Sequence, residues 1–275
     1  MHAHSVKLSR IVGDVVTRMV TVYNKYMSSK RVSLIGVPID SIKPIDAVEK
    51  IFQMLSGSSK HHVMTPNNEM LVQASGNESF HSVLCSSSLN LPDSTGLIFA
   101  TALTGQRLPA RVTGVDTVTE LCKRLTDDYP VFFLGSAPGI ADQAAKNLKS
   151  LNPSLNIAGT HAGSPSADEA KGIIDQINSS GAVLLLVAYG SPKQDMWIAK
   201  YFSSLKNIRV AMGVGGTFDF ISGKARRAPK IIRMTGLEWL WRLILQPLRF
   251  GRIWNAVVIF PLLVVRYGKK SPYCV

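Results

Sequence analysis

Three short apolar segments in the second half of the chain constrain its fold more than any other feature. They are residues 129–134 (YPVFFL), 182–188 (AVLLLVA) and 208–212 (IRVAM), and each reads as a buried strand. Each runs straight into small residues: Gly135-Ser136-Ala137-Pro138-Gly139, Tyr189-Gly190-Ser191-Pro192-Lys193-Gln194, and Gly213-Val214-Gly215-Gly216-Thr217-Phe218-Asp219. A helix or turn follows at once, over 140–148 after the first loop and 195–204 after the second. Strands apolar on both faces, with helices between them, predict an α/β fold with a parallel sheet covered on both sides. In such sheets ligands bind beyond the carboxyl ends of the strands. Small residues there let main-chain N–H groups approach phosphate oxygens, and helix N-termini add a favourable dipole. Gly135, Gly190 and Gly213 are therefore candidates for one nucleotide or phosphate-sugar site. For any one of them the alternative is plain turn chemistry. None of the loops fits the spacing of a P-loop or of a dinucleotide-binding fingerprint.

Upstream, residues 32–39 read as a strand and 44–55 as a helix, with Ala47, Val48, Ile51, Phe52 and Leu55 at helical spacing. A short strand at 62–64 runs into Thr65-Pro66-Asn67-Asn68, and a helix is expected over 69–74. Residues 155–159 read as a further strand and 167–178 as a further helix.

Charge divides the chain. Residues 1–31 carry six basic and one acidic side chain, and residues 224–275 carry eleven basic and one acidic. The middle, 32–223, is nearly balanced within a total of +13. Two cationic ends suit anionic lipid headgroups or nucleic acid, or are simply solvated. The apolar positions of residues 11–20 (Ile11, Val12, Val15, Val16, Met19, Val20) fit a short amphipathic helix, lying on a membrane or packed on the body. No uninterrupted apolar run reaches the roughly 18–20 residues of a spanning helix, the best being 256–265 with Pro261 inside it. Cys85, Cys122 and Cys274 are far apart and fit no zinc spacing, so reduced thiols in a cytoplasmic protein are expected.

Asp93 lies in Leu91-Pro92-Asp93-Ser94-Thr95-Gly96, before the apolar stretch 97–103. A carboxylate at a strand end is well placed as a general base; the alternative is a helix N-cap. Several segments taken together resemble the WecG/TagA/CpsF family of bacterial glycosyltransferases. They are Thr65-Pro66-Asn67-Asn68-Glu69-Met70-Leu71, and Pro92-Asp93-Ser94-Thr95-Gly96 leading to Arg111-Val112-Thr113-Gly114-Val115-Asp116. Next come Phe133-Leu134-Gly135-Ser136-Ala137-Pro138-Gly139 and Gly190-Ser191-Pro192-Lys193-Gln194-Asp195. Last is Gly213-Val214-Gly215-Gly216-Thr217-Phe218-Asp219-Phe220, continuing through Arg227-Ala228-Pro229 to Gly236-Leu237-Glu238-Trp239-Leu240-Trp241-Arg242-Leu243. The likeness covers roughly residues 32–252.

The resemblance implies a Rossmann-like core over 32–223 and a C-terminal appendage that meets the membrane; residues 1–31 and 256–275 lie outside the likeness, and charge and composition mark 1–31 as an N-terminal basic extension and 224–275 as the helical, basic, Trp/Arg-rich appendage. It implies an inverting transfer of a sugar from a UDP-sugar to a polyprenyl-diphosphate-linked saccharide in cell-surface or extracellular polysaccharide synthesis, with no cofactor or bound metal. The sequence holds no Asp-x-Asp triplet. Position by position, the resemblance makes Asp93 the base, Thr65 and Asn67 pocket residues, and Arg111 a phosphate neighbour. It makes Gln194 a sugar contact, Asp219 a candidate ribose ligand, and Arg227, Arg233 and Arg242 the appendage arginines for the diphosphate. Expected partners are the donor, the lipid-linked acceptor, an anionic membrane on its cytoplasmic face, and a second copy of the chain.

Three positions depart from the family pattern: Ser94 beside the acid, Asp195 after Gln194, and Gly163-Ser164-Pro165, which lacks an aromatic ring. Competing readings are a nucleic-acid-binding protein, for which no helix-turn-helix, finger or RNP pattern appears, and a non-catalytic membrane scaffold.

Overall fold

A computed structural model describes residues 30–273 apart from 230, 233–234, 237 and 246–249, and it leaves the side chain of Arg242 undescribed. The amphipathic pattern at 11–20, Arg233 and Cys274 thus lie outside the described residues. Arg31–Val275 form one compact unit.

The centre is a six-stranded sheet in the order β4-β3-β8-β7-β5-β6. Its strands are β3 (His61–Met64), β4 (Leu89–Asn90), β5 (Val131–Gly135), β6 (Ile157–His161), β7 (Leu184–Ala188) and β8 (Val210–Gly213), and every pairing is parallel. The side-chain period of two divides the apolar strands between the faces. Val131, Phe133, Leu184, Leu186, Val210 and Met212 enter one core. Phe132, Leu134, Leu185, Val187 and Ala211 enter the other. Helices Pro44–Ser56, Gly114–Arg124 and Ile140–Leu151 send apolar side chains into the first core. Ala167–Ser179 and Lys193–Tyr201 cover the second. The predicted Rossmann-like α/β core is thus observed, with β6 shifted two residues along as a half-buried edge strand.

One expected strand is two. Residues 32–39 fold as a hairpin, β1 (Arg31–Leu34) with β2 (Val37–Asp40), outside the main sheet. Ile35 and Gly36 turn the chain with φ of 55° and 77°, the signs a tight two-residue hairpin requires. An unbroken apolar pattern conceals this turn, because a branched residue such as Ile35 rarely adopts positive φ. A side chain at Gly36 would also overlap Ser271. The hairpin supports the main sheet: Asp40 is buried, pairs with Arg31 at 3.2 Å, and accepts the Asn90 N–H at 2.7 Å.

The long C-terminal helix, Phe250–Tyr267, is the second departure. It carries 18 residues at mean hydropathy 1.3, long and apolar enough to cross a membrane although Arg252, Asn255, Pro261 and Arg266 interrupt the apolar run. Only Phe260 and Val264 on it are buried. Both pack with Met70, Leu71, Phe80 and Leu97 in a third core beneath the hairpin.

Cys122 faces the first core with no exposed surface, and burial pushes its thiol up to about 12. Thiolate is the reactive form, so maleimide should spare Cys122 in the native protein and label it only after denaturation. Rapid native labelling at Cys122, read by peptide mass spectrometry, contradicts this packing.

Candidate active site

Parallel pairing puts the carboxyl ends of neighbouring strands on one edge of the sheet. Along that edge lie Asp93 after β4, Thr65 after β3, Gly213 ending β8, Gly190 after β7 and Gly135 ending β5. Five stretches separated along the chain therefore share one rim.

The rim is held by specific bonds. Thr65 is buried and its hydroxyl donates to the Gly213 carbonyl at 3.2 Å. Asn67 is the N-cap of helix Asn68–Ser75, its Oδ1 accepting the Met70 N–H at 3.0 Å. Gln194 is 2% exposed, and its Oε1 accepts the N–H groups of Gly190 at 3.1 Å and Gly215 at 2.9 Å. One amide oxygen thus ties the β7 loop to the β8 loop. Gly213 has no room for a side chain, because an added Cβ would overlap the carboxylate of Asp195 and the amide of Gln194. Gly135 has φ of 97° and lies against the Ala188 backbone, so it admits no L side chain without strain. Ser136 joins it to helix Thr217–Ile221, its hydroxyl donating to Asp219 Oδ1 at 3.4 Å.

Asp93 occupies the loop between β4 and helix Thr95–Leu103. Its N–H donates to the Pro66 carbonyl at 2.9 Å, fixing it to the loop after β3. Its side chain is 27% exposed. The N-cap of the following helix is Ser94, one residue on, and the Ser94 side chain makes no capping bond. Asp93 is therefore not the cap, which removes one of the two roles its sequence context allows.

Arg111 sits beside this carboxylate. Its Nε donates to the Asp93 carbonyl at 2.9 Å, and Nη2 lies 3.9 Å from Asp93 Oδ1 and 2.8 Å from Glu238 Oε2. Glu238 opens helix Glu238–Leu245 of the appendage, so Arg111 clamps the appendage to the Asp93 loop. A second clamp is bidentate: Arg227 donates to Asp116 Oδ1 at 2.5 Å and Oδ2 at 2.7 Å, and to Thr113 Oγ1 at 3.2 Å. Such charge-assisted pairs are roughly twice as strong as neutral ones. Its hydrogen bonding to the Asp116 carboxylate holds the Arg227 guanidinium above its ordinary range. Burial opposes this, and the charges of Asp116, Glu238 and Asp93 reinforce it. Among the described residues no three His, Cys, Asp or Glu side chains gather as a metal cluster, and the Arg111 guanidinium brings positive charge to Asp93.

A partly open carboxylate beside Arg111 thus lies on a rim of glycine loops at the carboxyl edge of the sheet. The family model of the glycosyl transferase WecG/TagA/CpsF family matches residues 32–273. The chain belongs to this family and is a glycosyltransferase. A relative from Bacillus spizizenii strain W23 is 33% identical over 192 residues, 70% of this chain and 74% of its own length. It is named N-acetylglucosaminyldiphosphoundecaprenol N-acetyl-beta-D-mannosaminyltransferase. A relative of the same name from Staphylococcus aureus strain MRSA252 is 26% identical over 246 residues, 88% of this chain and 95% of its own.

Within this WecG/TagA/CpsF member, the structure gathers Asp93, Thr65, Asn67, Arg111, Gln194, Asp219 and the three loop glycines on one edge, with Arg227 alongside. Arg233 and the side chain of Arg242 lie outside the description. The motif residues Glu238 and Asp116 prove to be the partners of the two clamping arginines. Glu238 had a signal, being the lone acid among eleven basic residues after 223. Asp195 was noted only as a departure from the family pattern. It is fully buried, 3.5 Å from His62 Nε2, and packs where a Gly213 side chain would fall.

Removing the Gln194 acceptor strands two part-buried main-chain donors, each costing less than the ~1–3 kcal/mol of a fully buried unsatisfied group. Gln194→Ala should lower the melting temperature measurably, while Gln194→Glu, which keeps an acceptor oxygen, should lose less. Equal melting of Gln194→Ala and wild type counts against the clamp.

Proposed function

We propose that the protein transfers a sugar, with inversion, from a UDP-sugar to a polyprenyl-diphosphate-linked saccharide at the cytoplasmic face of the membrane, with Asp93 as general base. The observation that carries the reading is the Asp93 carboxylate, open to solvent in part, with Arg111 beside it at the strand ends. A sugar hydroxyl is too weak an acid to attack as an alkoxide at neutral pH, so its proton must leave as the new bond forms. The acceptor oxygen attacks the anomeric carbon, its proton passes to Asp93, and the bond to UDP breaks with its electron pair on the phosphate. One base and one displacement give inversion. Charge growing on the departing diphosphate meets main-chain N–H groups of the glycine loops and the planar forks of the arginines. Gln194 and Asp219 line the donor side in this reading, and Thr65 and Asn67 shape the floor.

Both relatives are named for N-acetylmannosaminyl transfer to an N-acetylglucosaminyl-diphosphoundecaprenol, so UDP-N-acetylmannosamine with that acceptor is the first pair to test. A donor panel with mass-spectrometric detection of the lipid-linked product reads the outcome. Asp93→Asn keeps the shape and removes the base, and should lower kcat by about 10²–10⁴-fold. Equal turnover by the two proteins refutes the base assignment.

The appendage, residues 224–275, serves in this reading as the membrane-facing part. Trp239, Ile244, Phe250, Trp254 and Leu262 are exposed, with Arg252 and Arg266 among them. Aromatic and basic side chains on one surface suit the lipid headgroup boundary. Trp254→Ser with Phe250→Ser should weaken sedimentation with anionic vesicles about tenfold, or ~1.4 kcal/mol. Unchanged sedimentation contradicts the surface.

A further inference from the structure

The helix Phe250–Tyr267 contains a defect that its sequence dictates. Through Asn255–Ile259 it widens to a π-turn, and the Phe260 N–H bonds back to the Asn255 carbonyl, five residues away. The next donor along would come from residue 261, which is proline and has no N–H. The Ala256 carbonyl is therefore left without a helical donor. Asn68 supplies one from another part of the fold, its Nδ2 donating to Ala256 O at 2.9 Å.

The same amide also holds the residue next to the candidate base. Asn68 Oδ1 accepts from Ser94 Oγ at 2.7 Å, and Ser94 directly follows Asp93. Each end of the amide is thus occupied by a different element, which fixes its orientation. The neighbourhood is shaped around it: an added Cβ at Gly96 would overlap the Asn68 amide. A second line runs one residue further on. Arg252 Nε donates to Glu69 Oε1 at 2.7 Å, and Gln73 Nε2 donates to the same oxygen at 3.3 Å. Gln73 Oε1 in turn accepts from Ser191 Oγ at 3.0 Å, beside Gly190. The C-terminal helix therefore reaches two loops of the rim through a single helix, Asn68–Ser75.

We propose that Asn68 is a positioning residue, linking the seat of the Phe250–Tyr267 helix to the pose of Asp93 through Ser94. The inference rests on Asp93 being the base, and it goes beyond that reading by making the distant helix part of the base's setting. π-turns recur where a helix serves function, and here the carbonyl freed by the turn is the one that Asn68 holds.

Asn68→Asp tests it, because an aspartate still accepts from Ser94 but cannot donate to Ala256. Hydrogen exchange is followed in peptides covering 91–97 and 250–260, alongside transfer kinetics with the active donor and acceptor. The expected result is faster exchange in both peptides, at least tenfold lower kcat, and a donor KM within twofold of wild type. Asn68→Asp combined with Pro261→Ala returns a main-chain donor to the helix without restoring the tether. Exchange at 250–260 should then slow again while kcat stays low. Unchanged exchange at 91–97 in Asn68→Asp overturns the proposal, as does full recovery of kcat in the double variant, which reduces Asn68 to carbonyl satisfaction. If wild type transfers no sugar from any donor, the functional reading fails separately, and exchange at 91–97 still decides the link.

Discussion

Burial of β5, β7 and β8 on both faces is the constraint from which the remainder follows. A strand apolar on both sides must have layers above and below it, and the helices that supply those layers impose parallel crossovers. Parallel crossovers bring every strand's carboxyl end to the same edge. Residues as distant as Asp93, Gly135, Gly190 and Gly213 then meet without any local signal drawing them together. Small residues at that edge are a packing requirement. Gly213 must leave space for the Asp195 carboxylate, and Gly135 must pass against the Ala188 backbone.

Arginine ties the cationic C-terminal region to this edge. Arg111 reaches outward from the core to Glu238, and Arg227 reaches inward from the appendage to Asp116. The Arg111 clamp closes beside Asp93, so the seat of helix Glu238–Leu245 and the carboxylate's surroundings share one guanidinium. The polar contacts of Asn68 and Glu69 extend these ties along the C-terminal helix. Polar ties of this kind are directional and break together with the geometry they hold, whereas apolar contact alone tolerates sliding.

The strands and helices of residues 129–213 were legible to within a few residues, because apolar runs and glycine loops repeat there in a fixed order. The hairpin at Ile35-Gly36 was hidden, since its turn uses a branched residue at positive φ inside an apolar run. The long helix Phe250–Tyr267 was hidden as well. Arg252, Asn255 and Pro261 break the apolar run that marks such an element, and the π-turn accommodates the break. At the site, Asp93, Thr65, Asn67, Arg111, Gln194 and Asp219 were visible as motif residues. The pairings of Glu238 with Arg111, Asp116 with Arg227, Asn68 with Ser94 and Ser191 with Gln73 were not, because contacts 26 to 127 residues apart along the chain leave no mark on local spacing.

Sequence alone determined the parallel α/β class, the sheet edge on which the candidate site residues gather, and the membership of the family, because burial pattern, loop composition and motif order are local properties of the chain. Tertiary structure alone decided that Asp93 is not a helix cap, that Gln194 joins two loops, and that a carbonyl exposed by Pro261 is held by Asn68. Those outcomes depend on which unsatisfied donors and acceptors meet in space, and only the folded chain brings them within about 3 Å of each other.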